Sequence, residues 1–244
     1  MTQRKEKIAN ISFESASIDK TQDVSFDNAK TCSENKNLII KSNLDELFAE
    51  PKCELNYRSP YELLVAVILS AQCTDKRVNI VCDELFKQYN TPQSMLTLNQ
   101  EELEKKIHSC GFYHNKAKNI LSMSKQLIDE YDGQVPESLD KLQKLSGVGR
   151  KTANVVNSEA FKGNAIAVDT HVLRVSNRLG LCKTDNPLKC EQALMSSFDE
   201  KDWGKLHLQL VHFGRYICKA QKPQCENCKL SNICDYYIHN RHNI

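Results

Sequence analysis

Long apolar segments, a strong charge of one sign and an apolar N-terminal segment are all missing from this sequence of 244 residues. The longest apolar run, Leu63–Leu69, is too short to span a bilayer. The N-terminus has no apolar core of the secretory type, and six acidic residues among the first 37 disfavour a mitochondrial presequence. The absence of these signals leads us to expect a cytoplasmic protein that contacts no membrane. A net charge of +2 gives no overall excess that would indicate a nucleic-acid partner.

Cysteine is abundant by comparison, with 11 residues. The odd number and the lack of an export signal make a disulfide scaffold a poor interpretation, whereas reduced thiols that partly bind metal fit better. Seven cysteines are scattered along the chain, and we interpret each as a small buried hydrophobe. The other four lie close together near the C-terminus: Cys218, Cys225, Cys228 and Cys234.

Apolar residues at three- and four-residue spacing predict an all-α fold with short connections. Residues 1–37 are polar without a clear period and are interpreted as a disordered extension. Asn43 is predicted to cap a short helix that ends before Pro51. Ser59-Pro60 is predicted to open a helix that runs to about Ser70, is apolar on nearly all sides and belongs in the centre of a domain.

The same spacing predicts further helices, separated by glycine, proline and polar caps. Their expected ranges are 75–89, 92–98, 100–109, 115–131, 138–144 and 150–161, with more helices from Thr170 onward. Residues 165–168 form a brief β-like stretch, but no series of strands is predicted.

The segment at residues 138–161 reads as a helix, a tight turn and a second helix. Gly147 and Gly149 flank Val148 in the turn and allow close approach of another molecule to the backbone. Together with Arg150 these residues form a candidate phosphate-binding turn, because unpaired amides at the start of the second helix suit a phosphate oxygen. Residues 141–183 carry eight basic and two acidic residues, a local net charge of +6. An ordinary helical hairpin remains an alternative.

Lys151 and Asp169 are candidate catalytic residues. A lysine nucleophile must be neutral, and the first turn of a helix together with the adjacent Arg150 disfavours its ammonium form. Asp169 is the nearest credible proton acceptor downstream, and it also suits the N-cap of the helix that begins near Thr170. A DNA-facing surface lysine and a purely structural cap are the alternatives that these residues leave open.

The motifs taken together resemble the endonuclease III family of helix–hairpin–helix DNA glycosylases. They are Leu145–Val156 around the turn, Val168–Val172, Leu69–Asp75, Gly111–Ala117 and the four-cysteine tail, and the resemblance runs from about Leu44 to Cys234. The family usually has proline where this chain has Ser146, a mild departure that a small residue should tolerate.

The resemblance implies a bifunctional enzyme that removes oxidised pyrimidines from duplex DNA and cleaves 3′ to the abasic site. In this reading Lys151 is the nucleophile that forms a Schiff base, and Asp169 assists it. Gln72 and Phe112 correspond to residues that fill the space left by a flipped-out nucleotide. For Phe112 taken alone, a buried core aromatic is the simpler interpretation. His171 is expected beside the active site and near DNA.

Four thiolates at the tail can hold zinc or a 4Fe–4S cluster. Zinc ribbons usually contain two CxxC pairs, so the single pair in this tail disfavours a zinc ribbon. The family resemblance implies a 4Fe–4S cluster held by these four cysteines. His207 and His212 are interpreted as packing or surface residues rather than metal ligands, and Trp203 as a core residue.

The resemblance implies two α-helical domains with the active site between them. We expect a six-helix domain at 53–163 and an iron–sulfur cluster domain formed by 38–52 plus 164–244. We expect a monomer whose partner is double-stranded DNA with damaged bases or abasic sites. In a prokaryote such a protein would be associated with the nucleoid. The alternatives are a monofunctional mismatch glycosylase, disfavoured by Lys151, and a non-catalytic DNA-binding module with a zinc-stapled tail.

Overall fold

The computed structural model describes the backbone of residues 24–240 and the side chains of residues 34–240; the first 23 residues of the predicted extension lie outside the described part. The described residues contain twelve α-helices and no strand, which confirms the all-α fold. Their bounds are α1 Val24–Leu47, α2 Pro60–Ser70, α3 Asp75–Leu85, α4 Pro92–Met95, α5 Gln100–Ile107, α6 Tyr113–Tyr131, α7 Leu139–Leu142, α8 Arg150–Phe161, α9 Thr170–Leu179, α10 Pro187–Ser197, α11 Trp203–Tyr216 and α12 Asp235–Asn240.

Helix α1 corrects the prediction for the N-terminal region. The helix already runs from Val24, so Asn43 does not cap it but lies inside it and donates a hydrogen bond to the carbonyl of Ile39. Tertiary contacts explain the difference. Ile40 is fully buried, and the Lys36 ammonium lies 2.6 Å from the Asp235 carboxylate on α12. Packing against distant parts of the chain, which local periodicity cannot reveal, therefore stabilises this polar helix.

Helix α2 matches its prediction. Ser59 caps it by accepting a hydrogen bond from the amide of Glu62, and Pro60 occupies the first turn. Residues 61–69 are all buried, and α2 packs against α3, α6 and α8. An apolar helix with neighbours on several sides forms the centre of its domain, as its composition predicts.

Other predicted boundaries shift by a few residues. Helix α3 ends at Leu85 instead of residue 89, because the following residues form tight turns in which Lys87 and Gln88 bond three residues back. Helix α6 begins at Tyr113, two residues early. The β-like segment 165–168 forms no strand within the described residues. Its four side chains are buried, and the apolar composition reflects burial in the core.

Two hydrophobic cores organise the described chain. The first is built from buried residues between Leu55 and Val156. The second combines Ile40 and Leu44 with buried residues between Ile166 and Cys234. These cores support the predicted division into 53–163 and 38–52 plus 164–244, which we retain as our proposal for the domains. No helix in the described region is long and apolar enough to cross a membrane.

Candidate active site

A cavity of about 400 Å³ brings the two candidate catalytic residues together. Lys151 lies in the first turn of α8, a helix of the first core, and Asp169 caps α9, a helix of the second core. Gln72 and His171 line the same cavity. The structure thus collects residues separated by up to a hundred positions along the chain around one space large enough for a nucleotide base.

Asp169 is fixed by its own helix. Its Oδ1 atom accepts a hydrogen bond of 2.8 Å from the amide of Val172, the N-cap interaction that its position predicts. Within the described residues, its second carboxylate oxygen makes no hydrogen bond to the protein. One oxygen therefore orients the side chain, and the other is available to accept a proton.

His207 is a site residue that sequence reasoning interpreted only as a packing or surface residue. It is 4% exposed, lines the cavity and lies close enough to Asp169 and Lys151 to interact electrostatically with both. Burial lowers the pKa of His207 to about 4, so its imidazole is neutral near pH 7. A neutral ring therefore adds no positive charge beside Lys151 and does not itself attract the phosphate backbone by charge.

The structure corrects one expectation for Arg150, the free positive charge beside Lys151, whereas its contact with DNA stays a prediction because the side chain is 49% exposed. Its guanidinium forms a bidentate pair with the buried carboxylate of Glu191 on α10, with Nη2 and Oε1 2.6 Å apart. This pair neutralises Arg150 and ties the start of α8 to the second core. Arg150 therefore positions the turn and does not present a free charge beside Lys151.

Gln72 and Phe112 lie at the tips of two adjacent loops. Both have left-handed backbone conformations, with φ of 53° and 57°, which few side chains other than glycine and asparagine adopt without cost. A Cβ added at Gly111 would lie 3.9 Å from the carbonyl oxygen of Gln72, so the loops are neighbours. Phe112 is 65% exposed, which makes the core-aromatic interpretation wrong. An exposed aromatic on a strained backbone suits insertion into a base stack.

Lys116 holds one of these loops in place. It is 5% exposed on α6, and its ammonium donates to the carbonyls of Leu69 (2.9 Å) and Ala71 (2.7 Å) just before Gln72. Its burial lowers the pKa of this amine. The motif Gly111–Ala117 contains Lys116, but the sequence assigned this residue no role. No local sequence pattern shows that its side chain reaches the end of α2.

The helix–hairpin–helix turn is built largely as predicted. Gly147 has φ of +78°, and a Cβ added there would lie 2.8 Å from the Cβ of Asn119 on α6. Within the described residues the amides of Gly147 and Gly149 donate no hydrogen bond to the protein, which leaves them free for a phosphate. Val148 is 5% exposed, so its side chain anchors the turn in the core and does not face DNA.

Ser146 stands where the family usually has proline, and it stabilises the turn through hydrogen bonds. Its amide donates to Oε1 of Gln126 at 2.7 Å, and its hydroxyl lies 2.7 Å from that of Ser122. Proline has no amide hydrogen and could make neither contact. The small residue therefore preserves the turn by two hydrogen bonds to α6.

The remaining residues considered from the sequence, His171, His212 and Trp203, lie in different surroundings. His171 lines the cavity, with Nδ1 3.3 Å from a guanidinium nitrogen of Arg174. His212 also lines it, and its Nε2 lies 3.1 Å from the carbonyl oxygen of Lys52. Trp203 packs against the second core while partly exposed, and its indole donates to the carbonyl of Phe198.

Arg215 connects parts of the two cores at the edge of the cavity. Its Nη1 lies 2.6 Å from Oε2 of Glu54, and its Nη2 lies 2.6 Å from Oδ2 of Asp75. Asp75 begins α3 in the first core, whereas Arg215 belongs to α11 in the second. The two ion pairs therefore hold the walls of the cavity at a fixed separation.

The four tail cysteines surround one small cavity next to α9, α11 and α12. Within residues 34–240, no group of three or more His, Cys, Asp or Glu side chains converges closely enough for a single metal ion. An all-sulfur donor set around a shared apolar cavity fits a larger iron–sulfur cluster better than one ion. The donor chemistry thus agrees with a cluster held by Cys218, Cys225, Cys228 and Cys234.

Helix α9 links the cysteine cavity to the active site. Arg174 donates to the carbonyls of Gly214 (2.8 Å) and Cys218 (3.1 Å), and Arg178 donates to the thiol sulfur of Cys218 at 3.4 Å. The same helix begins at the Asp169 cap. Its N-terminus therefore positions the candidate proton acceptor while its opposite half contacts the cysteine segment.

Comparisons with known proteins identify the family. Residues 65–200 match the HhH-GPD superfamily of base excision DNA repair proteins. The chain belongs to this superfamily. Endonuclease III of Bacillus subtilis (strain 168) is 52% identical over 192 residues, which cover 78% of this chain and 88% of that relative. The predicted family resemblance is confirmed.

Solved structures of this superfamily share the fold. A non-covalent complex of endonuclease III with DNA is 46% identical, with a TM-score of 0.80 over 89% of this chain and 98% of that one. A trapped covalent intermediate of endonuclease III with DNA is also 46% identical, with a TM-score of 0.79 over 88% and 98% of the two chains. Both relatives were solved with DNA.

Proposed function

We propose that the protein is a bifunctional DNA glycosylase and abasic-site lyase that excises oxidised pyrimidines from duplex DNA. The observation that carries this proposal is that Lys151 and Asp169, supplied by different domains, line one cavity between the two cores. The relationship to endonuclease III at 52% identity supports the same reaction class. A lysine at this position favours the lyase over a monofunctional mismatch glycosylase, which needs no amine nucleophile.

In the proposed reaction the Lys151 amine attacks C1′ of the damaged nucleotide while Asp169 accepts the proton that the nitrogen loses. The C1′–N bond breaks, and the base leaves with the bonding electrons and takes up a proton. The sugar ring opens to a Schiff base between C1′ and the lysine nitrogen. Loss of a C2′ proton then expels the 3′ phosphate by β-elimination, which breaks the strand.

The protein surface must also hold distorted DNA. Gln72 and Phe112 project from neighbouring loops, and we assign them to the gap that the extruded nucleotide leaves in the stack. The free amides of Gly147 and Gly149 are assigned to a backbone phosphate. His171 lines the cavity wall, and we assign it to a contact with the flipped nucleotide.

We assign a 4Fe–4S cluster to Cys218, Cys225, Cys228 and Cys234, as expected for this family. Such a cluster would supply a structural crosslink of the tail and no step of the reaction. Lys219, Lys222 and Lys229 lie among the cysteines and would present positive charge to the phosphate backbone. Since DNA is the proposed substrate, we also propose a cytoplasmic location at the nucleoid.

Borohydride trapping tests the nucleophile directly. The purified protein is incubated with an abasic-site duplex and borohydride, which reduces a Schiff base to a stable amine. We expect a covalent protein–DNA adduct from the wild type and from Lys87→Ala, an exposed lysine on the loop after α3, but not from Lys151→Ala. Absence of an adduct from folded, iron-loaded wild type would exclude the lyase.

The same samples distinguish the non-catalytic alternative. A DNA-binding module with a zinc-stapled tail would bind the duplex without cleaving it and would contain zinc. Elemental analysis of the purified protein separates the two, since our assignment requires iron and sulfide in place of zinc.

A further inference from the structure

The active-site cavity borders a second cavity of about 600 Å³. Lys52, Cys53, Glu159 and Leu208 line both spaces and mark the junction between them. A flipped-out base that enters past Lys151 and Asp169 therefore faces this junction. The side chains there are placed to contact the base and not the sugar.

Glu159 lies on the same face of α8 as the proposed nucleophile. Lys151, Val155 and Glu159 are spaced four residues apart, and all three line the active-site cavity. Eight residues of helix advance about 12 Å along the axis. The lysine amine has to reach C1′, and the base is the substituent on that carbon. A carboxyl group farther along this face is therefore in position to meet the far edge of the base.

The Glu159 side chain is largely buried, and its carboxyl has no partner. The residue is 8% exposed, and among the described residues no hydrogen bond or ion pair satisfies its oxygens. These oxygens are not enclosed by protein atoms but face the cavity that the residue lines. Burial raises the pKa of this carboxyl, and the charge of Lys162 lowers it in part. A partly desolvated carboxyl that faces a cavity without a protein partner is available to a ligand that carries a hydrogen-bond donor.

The neighbours of Glu159 are also hydrogen-bonding groups. Cys53 and Tyr57 both lie within electrostatic range of it. Burial raises the pKa of the Cys53 thiol to about 11 and raises that of the Tyr57 phenol, so both are neutral near pH 7. The carboxyl is thus the strongest acceptor in this part of the wall.

We propose that Glu159 is a specificity-determining residue that accepts a hydrogen bond from an N–H group on the Watson–Crick edge of the flipped-out base. This inference rests on the proposed function, because it requires the cavity to receive a base. Pyrimidines related to thymine offer the N3–H donor, and those related to cytosine offer an exocyclic amino group. The ligand class is therefore a damaged pyrimidine that retains such a donor.

The test compares dihydrothymine with its N3-methyl derivative in otherwise identical duplexes, using single-turnover base excision. We expect the wild type to excise the N3-methyl base at least about tenfold more slowly, because the donor is lost. In Glu159→Leu the discrimination between the two bases should fall below about threefold. Glu159→Gln keeps an acceptor oxygen and should retain most of the discrimination.

Two controls separate this inference from the proposed function. Glu130→Gln removes an exposed carboxylate on α6 and should discriminate as the wild type does. Cleavage of an abasic-site duplex reports the lysine chemistry without any base in the cavity. Wild type that cleaves neither substrate would refute the proposed function itself.

Equal excision of the two bases by a wild type that cleaves abasic sites would overturn only the role of Glu159. Discrimination that persists in Glu159→Leu would overturn it as well, because the methyl group would then be rejected by some other part of the wall. If Glu159→Leu does not fold, Glu159→Met, which also removes the acceptor, takes its place. Its discrimination should likewise fall below about threefold, and discrimination that persists would overturn the role of Glu159.

Discussion

At the scale of single residues, Lys116 shows how one buried charge can shape a surface loop. Its two hydrogen bonds fix the carbonyls of Leu69 and Ala71, which leaves Gln72 at the tip in its left-handed conformation. The catalytic cavity contains no part of Lys116. We therefore expect Lys116 to influence DNA binding only indirectly, through the conformation of the Gln72 loop.

We predict that Lys116→Met lowers the free energy of unfolding by about 2 kcal/mol, since one buried and one partly buried carbonyl lose their donor. Urea denaturation measures this, and duplex affinity should weaken in parallel because the Gln72 loop loses its support. Lys118→Met, an exposed lysine on the same helix, is the matched control. Equal stability of the two variants would contradict the role of Lys116.

Glu54 gives a prediction for pH dependence. Burial alone would raise its pKa, but hydrogen bonds from Tyr216 and Arg215 lower the pKa below its usual value. A depressed carboxyl pKa stabilises the folded state above the pKa of the unfolded chain, and this stability is lost as the pH falls through the folded-state pKa.

We therefore predict that Glu54→Gln is less stable than the wild type by about 1 kcal/mol at pH 7, given its partial exposure. The difference should shrink as the pH falls below about 4.3, where the carboxyl becomes protonated in the unfolded chain first, and it should vanish once the pH has fallen through the lower folded-state pKa. Thermal unfolding at a series of pH values measures it, with Glu130→Gln as the exposed control. A difference that stays constant with pH would show that the ion pair with Arg215 is not its cause.

At the scale of elements, local signals predicted those features that depend on local geometry. Ser59-Pro60 before an apolar run predicted the start of α2, and Asp169 before Thr170 predicted the cap of α9. The start of α1 and the burial of Val148 could not be predicted in this way, because both depend on partners far along the chain. The exposure of Phe112 was likewise decided by the strained loop and not by its apolar side chain.

Substitutions at the two glycines of the turn should affect different properties, stability at Gly147 and DNA binding at Gly149. A Cβ at Gly147 meets Asn119 in a left-handed backbone, whereas a Cβ at Gly149 has no atom within 4 Å and φ there is −86°. We predict that Gly147→Ala loses at least about 1 kcal/mol of stability. Gly149→Ala should fold normally but bind duplex DNA more weakly, because its methyl group projects where a phosphate would approach.

Denaturation and duplex titration of both variants measure these effects. Gly149→Ala with wild-type affinity would remove Gly149 from the proposed phosphate site. Gly147→Ala with wild-type stability would mean that Asn119 moves aside at little cost.

At the scale of the whole molecule, the site depends on both cores, so the sequence alone could identify some of its members but neither the others nor their arrangement. Family motifs pointed to Lys151 and Asp169. Glu191, Lys116, His207 and Arg215 were not predicted as parts of the site, because each acts through a contact with a residue distant in sequence. Such pairings are set by tertiary packing and leave no local pattern.

The cysteine cluster should stabilise the second core as a unit. We predict that Cys225→Ala loses iron and melts at a lower temperature, because the tail is no longer crosslinked. Cys190→Ala, a buried cysteine of the same core outside the cluster, should retain its iron. Iron content and thermal unfolding measure both. Full iron occupancy in Cys225→Ala would contradict the assignment of that ligand.

The packing of α1 against α11 and its ion pair with α12 has a consequence for the order of events during synthesis. The first core uses residues 55–156 and is complete once those residues have left the ribosome, whereas Ile40 and Leu44 must wait for partners near the other end of the chain. The second core closes the longest loop in the molecule and is therefore expected to form last. A chain interrupted before α11 would leave the apolar face of α1 exposed to solvent. We expect chaperones and proteases to recognise incompletely synthesised chains through this exposed segment.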